Sequence, residues 1–184
     1  QSGGTPGADD TIAPAAPTGV AAVGGADQVT LNWNAVAGAA SYSVYRSTAP
    51  GGEGAAPLAA NLTAATYVDA TAAGGSDYYY FVTASTPGGQ SAASTEVLAH
   101  SHYVADANDD GTVSFADLVV VAQNYGGTGK AWAQGDFTGD GVVSFADLVL
   151  VSQKYGKVCT PCAAPVPARA AAAASVVGSQ STVT

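Results

Sequence analysis

A twelve-residue pattern occurs twice in this chain, thirty residues apart. The first copy runs Asp106-Ala107-Asn108-Asp109-Asp110-Gly111-Thr112-Val113-Ser114-Phe115-Ala116-Asp117. The second runs Asp136-Phe137-Thr138-Gly139-Asp140-Gly141-Val142-Val143-Ser144-Phe145-Ala146-Asp147. Matching Asp110 to Gly126 with Asp140 to Gly156 gives 13 identities in 17 positions, an internal duplication that obliges both stretches to fold alike. After each copy, apolar residues recur at helical spacing: Leu118, Val119, Val121, Ala122 and Tyr125, then Leu148, Val149, Val151 and Tyr155. Each helix should end at Gly126 or Gly156, because the residue just past a helix end commonly takes the left-handed conformation that glycine tolerates best.

The repeated pattern carries oxygen donors at alternate positions. Calcium takes about six to eight oxygens, and a twelve-residue loop supplies them from positions 1, 3, 5, 7, 9 and 12, with glycine at position 6 for the sharp turn. The first loop offers Asp106, Asn108, Asp110, the carbonyl of Thr112, Ser114 and Asp117. The second offers Asp136, Thr138, Asp140, the carbonyl of Val142, Ser144 and Asp147. Gly111 and Gly141 fill the turning position, and Val113 and Val143 are expected to pair the two loops through their backbones. Two calcium sites are therefore expected, the second weaker because Thr138 stands where an amide or carboxylate is usual. The plainer reading, in which these acids only cap helices, explains Asp117 and Asp147 but not the alternation before them.

Charge excludes several partners. Five basic residues against fourteen acidic ones leave a net charge of −9, so the chain cannot neutralise a run of phosphates and is repelled by anionic lipid. No apolar run approaches the roughly 20 residues of a membrane span; the longest is Leu118 to Ala122. Gln1 opens a Gly/Pro/Asp-rich stretch without a basic leader, so the chain reads as a mature product or a fragment, and its Thr/Ser/Gly/Ala richness suits a secreted, extracellular protein.

Residues 1–16 form an unpatterned arm. From Pro17 the period becomes two: Val29, Leu31 and Trp33 alternate with Thr30 and Asn32, Tyr42 and Val44 with Ser43 and Tyr45, and Tyr78, Tyr80, Val82 and Ala84 with Tyr79, Phe81 and Thr83. Turn clusters separate them at Gly24-Gly25-Ala26-Asp27, Gly51-Gly52 and Gly74-Gly75-Ser76-Asp77. Short alternating strands of this kind predict an all-β sandwich. Residues 17–99 resemble a fibronectin type III domain, through Pro17, Val29–Trp33, Tyr42–Arg46 and Tyr78–Ala84. The resemblance implies an immunoglobulin-like sandwich with Trp33 at its centre and Tyr78 as the corner tyrosine.

Residues 103–157, a duplicated loop then helix with Asp at position 12 and a stretch too short for a helix before Asp106, resemble a type I dockerin. That implies a small all-α calcium-binding domain that carries a secreted protein onto a cohesin-type partner. The family's usual Ser-Thr recognition pair is replaced here by Phe115-Ala116 and Phe145-Ala146, and its Lys-Arg by Gln123-Asn124 and Gln153-Lys154.

Residues 158–184 form a Pro/Ala-rich arm whose end, Val176 to Thr184, has strand propensity. Cys159 and Cys162 can close a local disulfide, remain thiols, or serve redox or metal chemistry, the first being preferred in an oxidising compartment. His100 and His102 read as solvated connector residues, the alternative being a metal site. Tyr79 and Phe81 read as aromatics covered by a neighbouring strand or domain, or else as a polysaccharide platform. Asn61-Leu62-Thr63 is a glycosylation sequon on an expected loop. The acids outside the repeats fall at expected turns and strand ends, and no nucleophile–base constellation is visible. The expectation is a non-catalytic, extracellular, calcium-binding structural subunit that assembles with other copies into a polymer. The alternative is an anchoring segment that attaches a secreted carbohydrate-active protein to a cohesin-like partner.

Overall fold

The computed structural model describes residues 13–159. Eight strands come first: β1 (Ala21–Gly25), β2 (Gln28–Asn32), β3 (Ser41–Ser47), β4 (Ala59–Leu62), β5 (Thr66–Asp69), β6 (Ser76–Thr86), β7 (Gly89–Gln90) and β8 (Val97–Ser101). One sheet has the order β1-β2-β5. In the other, β4 pairs β3, β3 pairs β6, and both β7 and β8 pair β6. All these pairings are antiparallel. The alternation read from the sequence decides which side chains meet between the sheets: Val29 and Leu31 from β2, Tyr42 and Val44 from β3, and Tyr78, Tyr80, Val82 and Ala84 from β6. Trp33 lies edge-on to Tyr42 at 5.3 Å, and the Tyr78 hydroxyl accepts the Ala73 amide at 2.9 Å.

One expectation changes outside the core. The sequon residues Asn61 and Leu62 belong to β4 rather than to a loop, Asn61 holding φ 57. On the outer face, Phe81 stacks on Tyr45 at 4.5 Å, and the Gln90 amide on β7 reaches the Tyr45 hydroxyl at 2.9 Å. A neighbouring strand thus covers this part of the aromatic group.

The chain then forms two loop–helix units, with α1 (Phe115–Asn124) and α2 (Phe145–Lys154) separated by a 3-10 turn at Trp132–Gln134. Ser114 and Ser144 cap the helices, accepting the amides of Ala116 and Ala146. Gly126 (φ 77) and Gly156 (φ 74) follow the helix ends in the left-handed conformation. A second core gathers Ala105, Ala107, Val113, Val121, Phe137, Val143 and Val151.

Val113 and Val143 do not pair loop with loop. Val113 donates to Lys157 and accepts from Gly156, while Val143 donates to Gly127 and accepts from Gly126. Each loop is therefore braced by the segment that follows the other unit's helix. Among the described residues no helix is long and apolar enough to cross a membrane.

Candidate metal centres in the repeated loops

Both loops draw carboxylates inward. Asp106, Asp117, Asp136 and Asp147 are 1%, 0%, 4% and 0% exposed, while the other acidic ligand candidates, Asp110 and Asp140, stay exposed. The twelfth residue closes each ring. Asp117 accepts the Ala107 amide with one oxygen and the Ser114 amide with the other, both at 2.8 Å. Asp147 accepts Phe137 at 2.9 Å, Thr138 at 3.0 Å and Ser144 at 2.8 Å. The first residue binds the turn: Asp106 accepts Gly111 at 2.7 Å, and Asp136 accepts Gly141 at 2.8 Å. Gly111 and Gly141 share φ 82, a conformation that side chains resist and that swings the backbone around the ring.

Asp117 and Asp147 do cap their helices, as the plainer reading held. A cap alone leaves its carboxylate in solvent, however, and these two are buried beside another buried acid. Among the described residues no lysine or arginine pairs with a loop carboxylate. Burying ionised acids without a counter-charge costs several kcal/mol each. The strain shows at Asp106: burial pushes its carboxyl up to about 6, the charges of Asp117 and Asp110 adding to the rise and the Gly111 and Asp110 amides opposing it. At Asp147 the Ser144, Thr138 and Phe137 amides outweigh burial and hold the carboxyl below its ordinary value. This set of hard oxygen donors is one that a hard cation such as calcium fits. Asn108 and Thr138 occupy third position, Asn108 accepting the Asp110 amide at 3.1 Å and Thr138 donating to Asp136 at 3.3 Å. Thr112 and Val142 accompany them at position seven, their amides bonded to Asp110 and Asp140 at 2.8 Å.

The junction with the sandwich holds residues that the sequence reading left in solvent. His100 lies on β8, paired with Asp77 at 2.7 Å. His102 extends the sheet, exchanging backbone bonds with Gly25 and Asp27, and its ring stacks on Trp132 at 4.8 Å. Neither is a solvated connector residue, because β8 runs on into the loop without a linker. Periodicity could not place them, since their partners Asp77, Asp109 and Trp132 are remote in sequence. Trp132 also donates to the Asp106 carbonyl at 2.8 Å, so one indole joins the first loop to the junction. A cleft of ≈ 270 Å³ lies beside it, between Gly24–Gln28 and Ala131–Gly139. Cys159 is disulfide-bonded, its sulfur 3.1 Å from the Gly74 carbonyl; Cys162 lies outside the described residues, as do the arms at 1–12 and 160–184.

No protein-family profile matches the chain. Over 89 residues it is 40% identical to an amylopullulanase of Thermoanaerobacter thermohydrosulfuricus, a match that takes in 48% of this chain and only 6% of that enzyme's length. A solved Fn3-like protein from Clostridium thermocellum is 40% identical, covering 49% of this chain and 95% of its own, with a TM-score of 0.45. The sandwich is fibronectin type III-like. In the fibronectin type III-like half Asp69, fully buried, is bound by Arg46 at 2.7 Å, Thr71 at 2.7 Å and Tyr80 at 2.9 Å.

Proposed function

We propose that this chain is a non-catalytic, extracellular pair of modules in which a calcium-loaded, dockerin-like unit attaches its protein to a partner and the fibronectin type III-like sandwich acts as a spacer. The observation that carries the reading is the burial of four loop carboxylates with no lysine or arginine partner among the described residues. Two calcium ions supply the missing charge, held by Asp106, Asn108, Asp110, Thr112, Ser114 and Asp117 in one loop, and by Asp136, Thr138, Asp140, Val142, Ser144 and Asp147 in the other. Docking is supported by a duplicated apolar face: Phe115 and Phe145 are each 66% exposed at matching positions of the repeat, with Tyr125 and Tyr155 also exposed. Aromatic side chains in such a position suit the centre of an interface. The face differs in chemistry from the hydroxyl pair usual in the dockerin family, so its partner is a cohesin-type protein with an apolar rather than polar contact. Assembly into a polymer through the arms would rest on residues 163–184, outside the described residues.

Calorimetric titration of the full chain with calcium tests the reading. Two sites are expected, with helical circular dichroism lost on chelation and regained with calcium. Absence of binding heat, or a spectrum indifferent to chelation, contradicts it. Phe115→Ser with Phe145→Ser should then abolish partner capture while leaving both calcium sites intact.

A further inference from the structure

The sandwich and the first loop meet at three side chains that face one another: His100 at the end of β8, His102 just beyond it, and Asp109. The His102 Nδ1 atom lies 3.1 Å and 3.2 Å from the two Asp109 oxygens, and His100 Nε2 lies 3.8 Å from the nearer one. One ligand atom from each residue falls within 4.8 Å of the others. On the far side of its ring, His100 meets Asp77 through Nδ1 at 2.7 Å. The Asp77 carboxylate accepts the hydrogen bond from Nδ1, so the other ring nitrogen, Nε2, is the one directed toward Asp109. Nε2 is inaccessible to water and has no hydrogen-bond partner. A buried ring nitrogen and a carboxylate thus face each other beyond hydrogen-bond distance, a gap that a bound cation would bridge.

We infer that His100 Nε2, His102 Nδ1 and the Asp109 carboxylate form a zinc site that joins the sandwich to the loop–helix unit. Zinc bonds of about 2.0–2.1 Å in a tetrahedron set ligand atoms roughly 3.3 Å apart. His102 meets that distance to Asp109 at 3.1 Å, while His100 at 3.8 Å, and the group as a whole within 4.8 Å, would close in by a rotation of the side chains. Two imidazoles and one carboxylate suit zinc rather than calcium, and three protein ligands leave the fourth position to water. Asp77 supplies the outer carboxylate that orients a metal-bound histidine. Asp109 is free for this role in the repeat, because it occupies position 4, which the calcium pattern does not use. The second loop has Gly139 there, at φ 74 against φ 54 for Asp109, so the duplication departs from itself where the histidines stand opposite.

The test is a zinc titration of the full chain, followed by calorimetry, under non-reducing conditions with calcium saturating. One zinc per chain is expected beyond the calcium sites, with an increase in thermal midpoint. Asp109→Gly installs the residue of the second copy and should leave calcium binding unchanged while abolishing the zinc step. His100→Ala should weaken zinc by more than 10-fold, and Asp77→Asn by about 10- to 100-fold. No zinc heat with the parent chain, or equal zinc affinity in the parent, Asp109→Gly and His100→Ala chains, overturns the assignment: the three residues would then be a hydrogen-bonded junction and nothing more.

Discussion

Asp69 and Asp106 are both buried acids, and their surroundings push them in opposite directions. Burial alone would raise the Asp69 carboxyl, but Thr71, Arg46 and Tyr80 together hold it below the ordinary carboxylate value. A depressed folded pKa contributes stability that is present above the unfolded value, about 4, and is lost as pH falls through the folded one. The sandwich should keep its urea midpoint from pH 7 to 5 and lose it progressively below pH 4. Arg46→Ala, which removes one charged partner, should lower its stability by about 1.5–3 kcal/mol at pH 7, measured by urea unfolding. Asp106 runs the other way. Its folded pKa, about 6, lies above the unfolded value, so its own contribution to the stability of the metal-free unit is present below about pH 4 and is lost as pH rises through 6. Calcium, bound as proposed, would reverse that by holding the ionised form. Calcium binding near pH 5.5 should therefore release protons, and its heat should differ between buffers of different ionisation enthalpy; equal heats would contradict the coupling.

The two loop–helix units were plain in the sequence because three local signals agree at each: donor spacing, apolar residues at helical spacing, and a glycine after the last helical residue. That agreement extends to affinity. The first site, with Asn108, should bind more tightly than the second, with Thr138, because an amide oxygen is the better calcium donor. Asp110→Ala should then abolish the tighter of two calorimetric steps, and loss of the weaker step alone would reverse the order. The strands were legible for the same reason, their alternation matching the pleat over Val29–Trp33 and Tyr78–Ala84. What escaped were pairings set by tertiary approach. The sequon around Asn61 carries no strand pattern, and it becomes β4 only because β3 offers an edge. The backbone partners of Val113 and Val143 depend on which helix tail arrives beside each loop, a choice that no local residue records. His100 and His102 have polar faces that suit a linker equally well until Asp77 and Trp132 come into place.

The two cores meet where the chain allows almost no room. A Cβ on Gly24 would stand 1.5 Å from the His100 carbonyl oxygen, and one on Gly74 would stand 2.5–2.6 Å from Asp27, the His102 carbonyl and the Tyr103 backbone. Backbone atoms cannot yield as a side-chain tip can. Gly74→Ala should therefore open the junction while sparing each core, increasing the radius of gyration in small-angle X-ray scattering and exposing the stretch between Ser101 and Val104 to proteases. An unchanged scattering curve would mean that the junction absorbs a methyl group without separating. The crossed bracing of the loops has a mechanical consequence. Gly156, Lys157 and Cys159 bond to Val113 and Gly111, so the strap leaving α2 lies on the first loop before the chain continues. Tension arriving from the C-terminal side is taken up first by those bonds, and only after they shear does it reach the last turn of α2. A pull from that end would thus strain the first loop ahead of the second, and the load withstood would depend on how firmly that one loop is held together.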